Sequence, residues 1–456
     1  MSTWRPTLTI GAAFALITST VLLIYAQQPA DPPKPTGSEP PWFLAVDIMP
    51  PGTAPRLKTL YSFTSSNGAS RAGIVIGTNG ALYDTTPGTV FELTPPTSSG
   101  GAWIESVLYS FMGGTDGTAS EASMAIGSGG VLYGTTMMGG NRGCSFSEGC
   151  GTVYSLTPPT SPGGYWTETV LHRFSGSDGA SPLAGVVVGK NGVLYGTTAS
   201  GGPGGGGTVF ALAPPQSPGG AWTENVLHSF VGNGGYQQSG GAGPMTSVVI
   251  GKNGALYGTT NAGGIAEAWC YEGCGTVFEL ERPVSPGDAW AENVLHSFTG
   301  VNDGLTPSGL IAKNGVLYGT TYYGGNDPVL GGGTVFELTP PTSSGGAWTE
   351  SVLYEFTGGS GGKIPNAVVL ISKDGRLYGT TAGGGTGSCS CGTVFSLTPP
   401  ASPGGAWTET VLHSFTGGSD GSDPLTGMVV GSVGVLYGAT SGGGTSGYGT
   451  VFALKP

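Results

Sequence analysis

The sequence is poor in charged residues, and positive charge is the scarcer kind. Only 9% of its 456 residues are charged, with 15 Lys and Arg against 27 Asp and Glu, for a formal net charge of −12. Nucleic-acid-binding proteins need a basic stripe to neutralise phosphates, and anionic lipid attracts basic segments. The composition therefore excludes nucleic acid as a partner. It also argues against docking on a lipid surface, which leaves an uncleaved amino-terminal segment as the only membrane contact we expect.

Long uncharged hydrophobic runs are absent except at the amino terminus. Leu8–Ala26 carries no charge and is broken only by a Thr-Ser-Thr stretch. Its length lies between that of a signal-peptide core and that of a membrane span, so residues 1–26 are predicted to be a signal peptide or an amino-terminal membrane anchor. Both alternatives predict a secreted, periplasmic or cell-surface protein. Residues 27–56 are rich in proline and predict an extended linker.

Cysteine is also scarce, and its six copies form three close pairs. The pairs are Cys144 with Cys150, Cys270 with Cys274, and Cys389 with Cys391. Local pairs on an exported chain predict disulfides. The alternative is metal binding, but a structural zinc site needs four ligands, and these pairs fall in repeats that are not neighbours. We therefore predict three small disulfide loops and no metal site.

Glycine is the residue in excess, with 89 copies against a usual share of about 7%. A motif, LYxxT, accompanies it and recurs every 50 to 62 residues. Its tyrosines are Tyr83, Tyr133, Tyr195, Tyr257, Tyr318, Tyr378 and Tyr437. Each repeat contains four short β-rich runs separated by turns, and none has a helical period. Seven such units predict an all-β protein, a seven-bladed β-propeller of four-stranded blades.

The two ends of this array complement each other. The last repeat stops after its third run, GTVFALKP, whereas Arg56–Phe63 reads as an outer strand with no partner strands before it. Pairing this amino-terminal strand with the last blade completes seven blades and leaves no exposed sheet edge. We therefore predict that residues 57–456 form a closed ring.

The repeats also resemble a known family. The segments VLHSFTGGSDGSDPLTGMVVG, GVLYGAT and GTVFALKP, with LYGTT and GTVF recurring at this spacing, resemble the bacterial GloVer tandem-repeat family of choice-of-anchor tandem repeat proteins. The resemblance covers residues 57–456 and implies an exported, surface-associated protein without a catalytic motif. Nothing resembling a carboxyl-terminal anchor follows Pro456, so we expect any tether to be Leu8–Ala26.

Most titratable residues follow the repeat and therefore predict packing rather than chemistry. The histidines, His172, His228, His296 and His413, occupy an outer-strand position that other repeats fill with Tyr61, Tyr109 and Tyr354. Spread around the rim, they are not expected to converge on a metal. Six tryptophans each precede a glutamate by two residues on the same strand. We expect the tryptophan to cover the sheet edge and the glutamate to be solvated. No phosphate-binding motif is present, and no cofactor is predicted.

The repeats differ mainly in two sets of loops, which connect the second strand to the third and the outer strand to the next blade. In a four-stranded meander both sets emerge on one face of the ring, hereafter the variable face. Loops on a rigid scaffold often carry binding residues, and exposed aromatic side chains suit glycan or protein recognition. The predicted ligand-binding residues are Trp269, Tyr271, Tyr322, Tyr323 and Asp327.

Three functions remain open at this point. The first is a non-catalytic binding or adhesion module that presents the variable face to an extracellular polysaccharide or protein. The second is a glycan-active lyase or hydrolase with a site near the central channel, for which Glu148, Glu267, Glu272 and Asp327 are the acid/base candidates. The third is a surface scaffold without a specific ligand. The sequence favours the first and contains no sign of a catalytic cluster.

Overall fold

A computed structural model describes residues 55–456 except 65–67, 99, 142–143, 145–147, 162, 218, 233–239, 286, 327–330, 344, 368, 403 and 432–433. The predicted signal peptide or anchor, residues 1–26, lies outside the described residues. Among the described residues, no helix is long and apolar enough to cross a membrane.

The described strands form seven four-stranded antiparallel sheets, as the repeats predict. Each sheet is one blade, whose strands follow one another from the innermost to the outer strand. In that order the blades are: blade 1, Val75–Ile76, Leu82–Thr86, Thr89–Thr94 and Ile104–Ser110; blade 2, Ala125–Ile126, Leu132–Thr136, Thr152–Thr157 and Thr167–Arg173; blade 3, Val187–Val188, Leu194–Thr198, Gly205–Ala213 and Thr223–Val231; blade 4, Val249–Ile250, Leu256–Thr260, Thr276–Glu281 and Ala291–Ser297; blade 5, Leu305–Lys313, Val316–Tyr323, Thr334–Thr339 and Thr349–Glu355; blade 6, Leu370–Ile371, Leu377–Thr381, Thr393–Thr398 and Thr408–Ser414; blade 7, Val429–Val430, Leu436–Thr440, Thr450–Lys455 and Arg56–Ser62. A two-stranded sheet, Gly241–Ala242 with Ala262–Gly263, and three short 3-10 turns at Ser128–Gly130, Lys190–Gly192 and Gly359–Gly361 complete the described elements.

The two repeated motifs form the second and third strands, and they fit each other. In blade 3, Leu194 pairs with Leu212, and Gly196 pairs with Phe210. A Cβ on Gly196 would lie 2.5 Å from Phe210 Cζ, so the glycine of LYGTT makes room for the phenylalanine of GTVF. Both leucines are fully buried. The repeat therefore encodes strand register and core packing together.

The ring is closed by strands from both ends of the chain, which confirms the prediction. Arg56–Ser62 pairs antiparallel with Thr450–Lys455, from Arg56 opposite Lys455 to Ser62 opposite Thr450. The next residue, Phe63, donates its backbone N–H to Gly449 O at 3.0 Å. The same bond occurs within blade 2, where Phe174 donates to Gly151 O at 3.1 Å. Blade 7 therefore has the geometry of a blade made from continuous chain.

Adjacent blades are joined by a ring of aromatic pairs. At every junction an aromatic residue at the end of one outer strand or just after it packs edge-on against an aromatic residue on the third strand of the next blade, with centroids 5.0–5.3 Å apart. The pairs are Phe63–Phe91, Phe111–Tyr154, Phe174–Phe210, Phe230–Phe278, Phe298–Phe336, Phe356–Phe395 and Phe415–Phe452. Each contributes about 0.5–1.5 kcal/mol beyond the burial of its area.

The repeated tryptophans also join blades, so the expectation that they cover the sheet edge is wrong. Trp222 on blade 3 packs against Tyr133 of blade 2, with ring centroids 6.1 Å apart. Across the closure, Trp103 of blade 1 meets Tyr437 of blade 7 at 6.3 Å. In these pairs the tyrosine of the LYxxT motif therefore packs against the tryptophan of the following blade.

We predict that replacing Gly207 with alanine destabilises the fold by about 2–4 kcal/mol. Gly207 lies near the start of the third strand of blade 3 with φ +94°, and a Cβ there would lie 2.2 Å from the carbonyl oxygen of Thr198. Gly219 is the matched control, since its φ is +80° but a Cβ there meets nothing within 4 Å. Gly219→Ala is expected to destabilise the fold by only about 1–2 kcal/mol, because it places alanine in a left-handed backbone conformation without a steric clash. Urea unfolding measures both, and equal losses would contradict the steric argument.

Candidate functional site

The two sets of variable loops lie together on one face, as the meander requires. Isolated β-bridges connect a loop that follows an outer strand to a loop that follows a second strand. These bridges are Thr118 with Met138, Ala180 with Ser200, Lys363 with Gly383, and Ser422 with Gly442. At these four positions the two kinds of loop are therefore joined to each other on the variable face.

The loop of blade 4 is fixed at its base and exposed at its tip. Cys270 and Cys274 form a disulfide, and Trp269 Nε1 donates to Thr299 O at 3.0 Å. The indole is nevertheless 39% exposed, and Tyr271 is 64% exposed. An exposed ring held by a backbone bond and a neighbouring disulfide loses little conformational entropy on binding a ligand.

Two tyrosines extend the second strand of blade 5 onto the same face. The rings of Tyr322 and Tyr323 lie edge-on with centroids 4.5 Å apart, and Tyr323 is 41% exposed. Burial, together with the charge and hydrogen bond of Tyr323, raises the pKa of Tyr322 to about 12. Tyr322 therefore supports its neighbour, and Tyr323 presents the accessible ring.

These elements meet at the junction of blades 4 and 5. A Cβ on Gly300 would lie 2.6 Å from Trp269 Nε1 and 3.2 Å from Leu305 Cδ2, and Leu305 pairs with Tyr323 across the two strands. Together with the exposed Val301, they form a surface that we call the blade 4–5 patch, made of Trp269, Tyr271, Val301 and Tyr323. The structure thus places four of the predicted ligand-binding residues on loops or strands that meet at one junction. Asp327 lies outside the described residues.

The predicted acid/base residues do not form a described pair. Glu148, Glu267 and Glu272 are all exposed. Glu148 belongs to blade 2, whereas the other two belong to blade 4, and these blades are not neighbours in the ring. Glu267 and Glu272 instead flank the aromatic tip of the blade 4 loop, where their oxygens can accept hydrogen bonds from a ligand.

All three predicted disulfides are formed. Cys144 bonds Cys150, Cys270 bonds Cys274, and Cys389 bonds Cys391. Each bridge closes a loop of the variable face just before a third strand.

A non-repeated polar cluster, which sequence reasoning missed, lies on the inner side of blades 1 and 2. Ser70 Oγ donates to Asp84 Oδ2 at 2.6 Å, the Thr85 N–H donates to Asp84 Oδ1 at 2.7 Å, and Arg71 forms an ion pair with Glu121 at 3.5 Å. Burial raises the pKa of Asp84 to about 8. The detectable signal was LYDTT, where Asp84 replaces the glycine of LYGTT. With Asp84 1% exposed, this carboxyl faces the protein interior rather than a ligand.

The histidines pack as predicted, but each also meets an acidic residue. The His172–Asp178 and His413–Asp420 contacts are 3.0 Å, the His296–Asp303 contact is 3.4 Å, and His228 lies 3.5 Å from Glu292 of the next blade. The repeated glutamates are therefore partly buried at the blade junctions rather than solvated. Burial raises the pKa of Glu168 to about 6 and the pKa of Glu224 to about 7.

Sheet topology and closure define the class of this protein, a seven-bladed β-propeller whose loop diversity is confined to one face. The sequence profile of the Gloeobacter/Verrucomicrobia repeat family matches residues 84–328 and 270–456. The chain therefore belongs to the Gloeobacter/Verrucomicrobia repeat family, in agreement with the resemblance of its motifs.

Solved structures with a related fold are distant. They include the AfRom2 CNH domain, at 10% identity over 88% of this chain and 99% of that one, with a TM-score of 0.45. A gluconolactonase from Xanthomonas campestris matches at 12% identity over 72% and 82%, with a TM-score of 0.37. A putative oxidoreductase (glucose dehydrogenase) from Thermus thermophilus matches at 16% identity over 72% and 94%, with a TM-score of 0.39. No curated protein sequence matches the chain. None of these similarities transfers an activity to this protein.

We predict that Asp84→Asn changes the pH dependence of stability. An unfolded aspartate ionises near pH 4 and the folded Asp84 near pH 8, so the folded state holds an extra proton between these values. The native protein therefore loses stability as the pH rises through this range. Between pH 4 and pH 8, the free energy of unfolding of the asparagine variant should therefore fall by about 1–4 kcal/mol less than that of the native protein.

Urea unfolding at pH 4 and pH 8 makes the comparison, with the exposed Asp288→Asn as the matched control. The control should follow the native protein. If the free energy of unfolding of Asp84→Asn changed with pH as much as that of the native protein, the buried carboxyl would not hold its proton.

Proposed function

We propose that this propeller is an exported, non-catalytic binding protein that recognises an extracellular polysaccharide through the blade 4–5 patch. The observation that carries the proposal is the exposure of three aromatic rings, Trp269, Tyr271 and Tyr323, around one junction of a rigid ring. Sugar rings present C–H faces that pack on aromatic side chains, and their hydroxyls bond to nearby polar groups.

The surroundings of the patch favour a neutral, hydroxyl-rich ligand. The exposed carboxylates of Glu267 and Glu272 flank the tip of the blade 4 loop and accept hydrogen bonds from hydroxyl groups. They disfavour an anionic ligand, as does the formal net charge of −12.

Export is supported by the disulfides. All six cysteines are paired, and such bonds persist in oxidising compartments outside the cytoplasm. In this proposal they hold the variable loops in shape outside the cell.

The glycan-active alternative has weaker support. Of the described candidate acids, Glu148 lies on blade 2, while Glu267 and Glu272 are exposed in one loop of blade 4, and Asp84 of the inner cluster is buried. A hydrolase or lyase needs two groups placed on either side of the bond that is cleaved.

A glycan array probed with the purified full chain tests the proposal. We predict binding to a neutral polysaccharide that weakens at least about tenfold in Tyr323→Ala and in Tyr271→Ala, because each substitution removes an exposed stacking ring. The matched control is Tyr165→Ala. Tyr165 is 93% exposed in a turn between the third and outer strands, on the face opposite the variable loops.

The control should bind like the native chain. Equal binding by all three variants would remove the patch from the interaction. Binding to no glycan on the array would reject a polysaccharide ligand in favour of a protein ligand or a scaffold, and cleavage of a bound glycan would favour the enzyme.

A further inference from the structure

The outer rim repeats one polar arrangement at the blade junctions. A ring on one outer strand, histidine or tyrosine, faces an aspartate from the loop that follows it and a glutamate from the outer strand of the next blade. Only some junctions contain all three polar groups. The junction of blades 2 and 3 has His172, Asp178 and Glu224, whereas blades 1 and 2 have Tyr109 in place of the histidine.

The three side chains of the blade 2–3 junction lie close together. One ligand atom of each, from His172, Asp178 and Glu224, falls within 4.8 Å of the others, the one such group among the described residues. His172 Nε2 and Asp178 Oδ2 are 3.0 Å apart. Donor atoms of a tetrahedral zinc site are separated by about 3.3 Å. His172 Nε2 and Asp178 Oδ2 are close to this separation and share a hydrogen bond, whose proton a bound cation would replace. A carboxylate oxygen of Glu224 lies within 4.8 Å of both atoms.

Neighbouring groups orient the aspartate and leave the glutamate available. The backbone N–H of Ser175 and its Oγ donate to Asp178 Oδ1 at 2.8 and 2.9 Å, so that Oδ2 points at the histidine. Hydrogen bonds of this kind fix ligand orientation in metal sites. Glu224 Oε1 is buried without a hydrogen-bond partner among the described residues, as is the same oxygen of Glu168, Glu292, Glu350 and Glu409, and Glu224 differs from them in lying close to both His172 and Asp178. A buried carboxylate oxygen without a donor is costly unless a proton or a cation approaches it.

We propose that the junction of blades 2 and 3 binds a divalent cation of the zinc class through His172, Asp178 and Glu224. One imidazole nitrogen and two carboxylate oxygens suit such a cation and leave a fourth position for water. The sequence pattern predicts no metal site, because the histidines are separated from one another around the rim. The structure supplies the other two ligands from carboxylates, one of them on the neighbouring blade.

The chain itself supplies the substitutions that test the site. His172→Tyr puts at this position the residue that Tyr61, Tyr109 and Tyr354 already provide at equivalent positions, so the packing is retained while the nitrogen ligand is lost. Glu224→Gln is an isosteric second variant. His413→Tyr is the matched control, because Leu57 takes the place of the glutamate on the strand that follows His413, leaving two ligands.

Isothermal titration of the full, tag-free chain with zinc chloride at pH 7.5 tests the proposal. We expect one zinc ion per chain, with affinity reduced more than about tenfold by His172→Tyr and by Glu224→Gln but unchanged by His413→Tyr. Circular dichroism and thermal unfolding without zinc confirm that each variant is folded.

Three results would overturn the proposal. They are the absence of zinc binding, binding that both site variants leave intact, and an equal loss in His172→Tyr and His413→Tyr. The last would indicate that any rim histidine binds zinc nonspecifically. The experiment involves no glycan and is independent of the proposed function.

Discussion

The antiparallel pairing of Arg56–Ser62 with Thr450–Lys455 joins two segments at opposite ends of the described chain. It converts a row of blades into a ring, because it supplies blade 7 with its outer strand and brings Phe63 against Phe91 of blade 1. Without this pairing, the third strand of blade 7 would be an exposed sheet edge. The circle of aromatic pairs that joins the blades would also lack one of its seven pairs. Blades 1 and 7 would then each lose the contact that joins them to one another across the closure.

Because repeated contacts hold the ring, the non-repeated residues are free to serve other purposes. The aromatic pairs, the tryptophan–tyrosine contacts and the threonine hydroxyls, such as Thr197 Oγ1 donating to Thr246 O of the next blade at 3.0 Å, recur at junction after junction. Loops on the variable face depart from this pattern. Both candidate sites lie at junctions, since these are where side chains from two rigid blades are held at fixed separation. The blade 4–5 patch presents aromatic rings to solvent, whereas the blade 2–3 junction brings three ionisable side chains close together.

The repeat made the fold predictable, but the partners of individual side chains were much less so. Blade number and closure follow from motifs that recur with nearly constant spacing, and both predictions are confirmed. Trp103 was expected to cover an edge, yet it packs against Tyr437, near the other end of the chain. A pattern confined to one repeat does not reveal which blade a side chain faces. For the same reason the surroundings of Glu224 were not predicted, because His172 and Asp178, which it approaches, belong to the preceding blade.

Departures from the repeat were the most informative signals for the site. Tyr322 and Tyr323 stand where the other repeats have non-aromatic residues, and Asp84 stands where they have glycine. The two tyrosines were predicted to bind a ligand because they are aromatic residues in a variable segment, where their rings can be exposed. Asp84 was missed because it lies within a strand that was interpreted as uniform, and its burial became evident only from the packing of blade 1.

Hydrogen exchange of the amides of residues 450–455 tests the closed ring most directly. With a strand paired on each side, all of these amides should exchange as slowly as those of Thr276–Glu281, an equivalent third strand inside blade 4, within about tenfold. If Arg56–Ser62 did not pair there, every second amide of residues 450–455 would face solvent. Rapid exchange of half of these amides, with residues 276–281 still protected, would contradict the closed propeller.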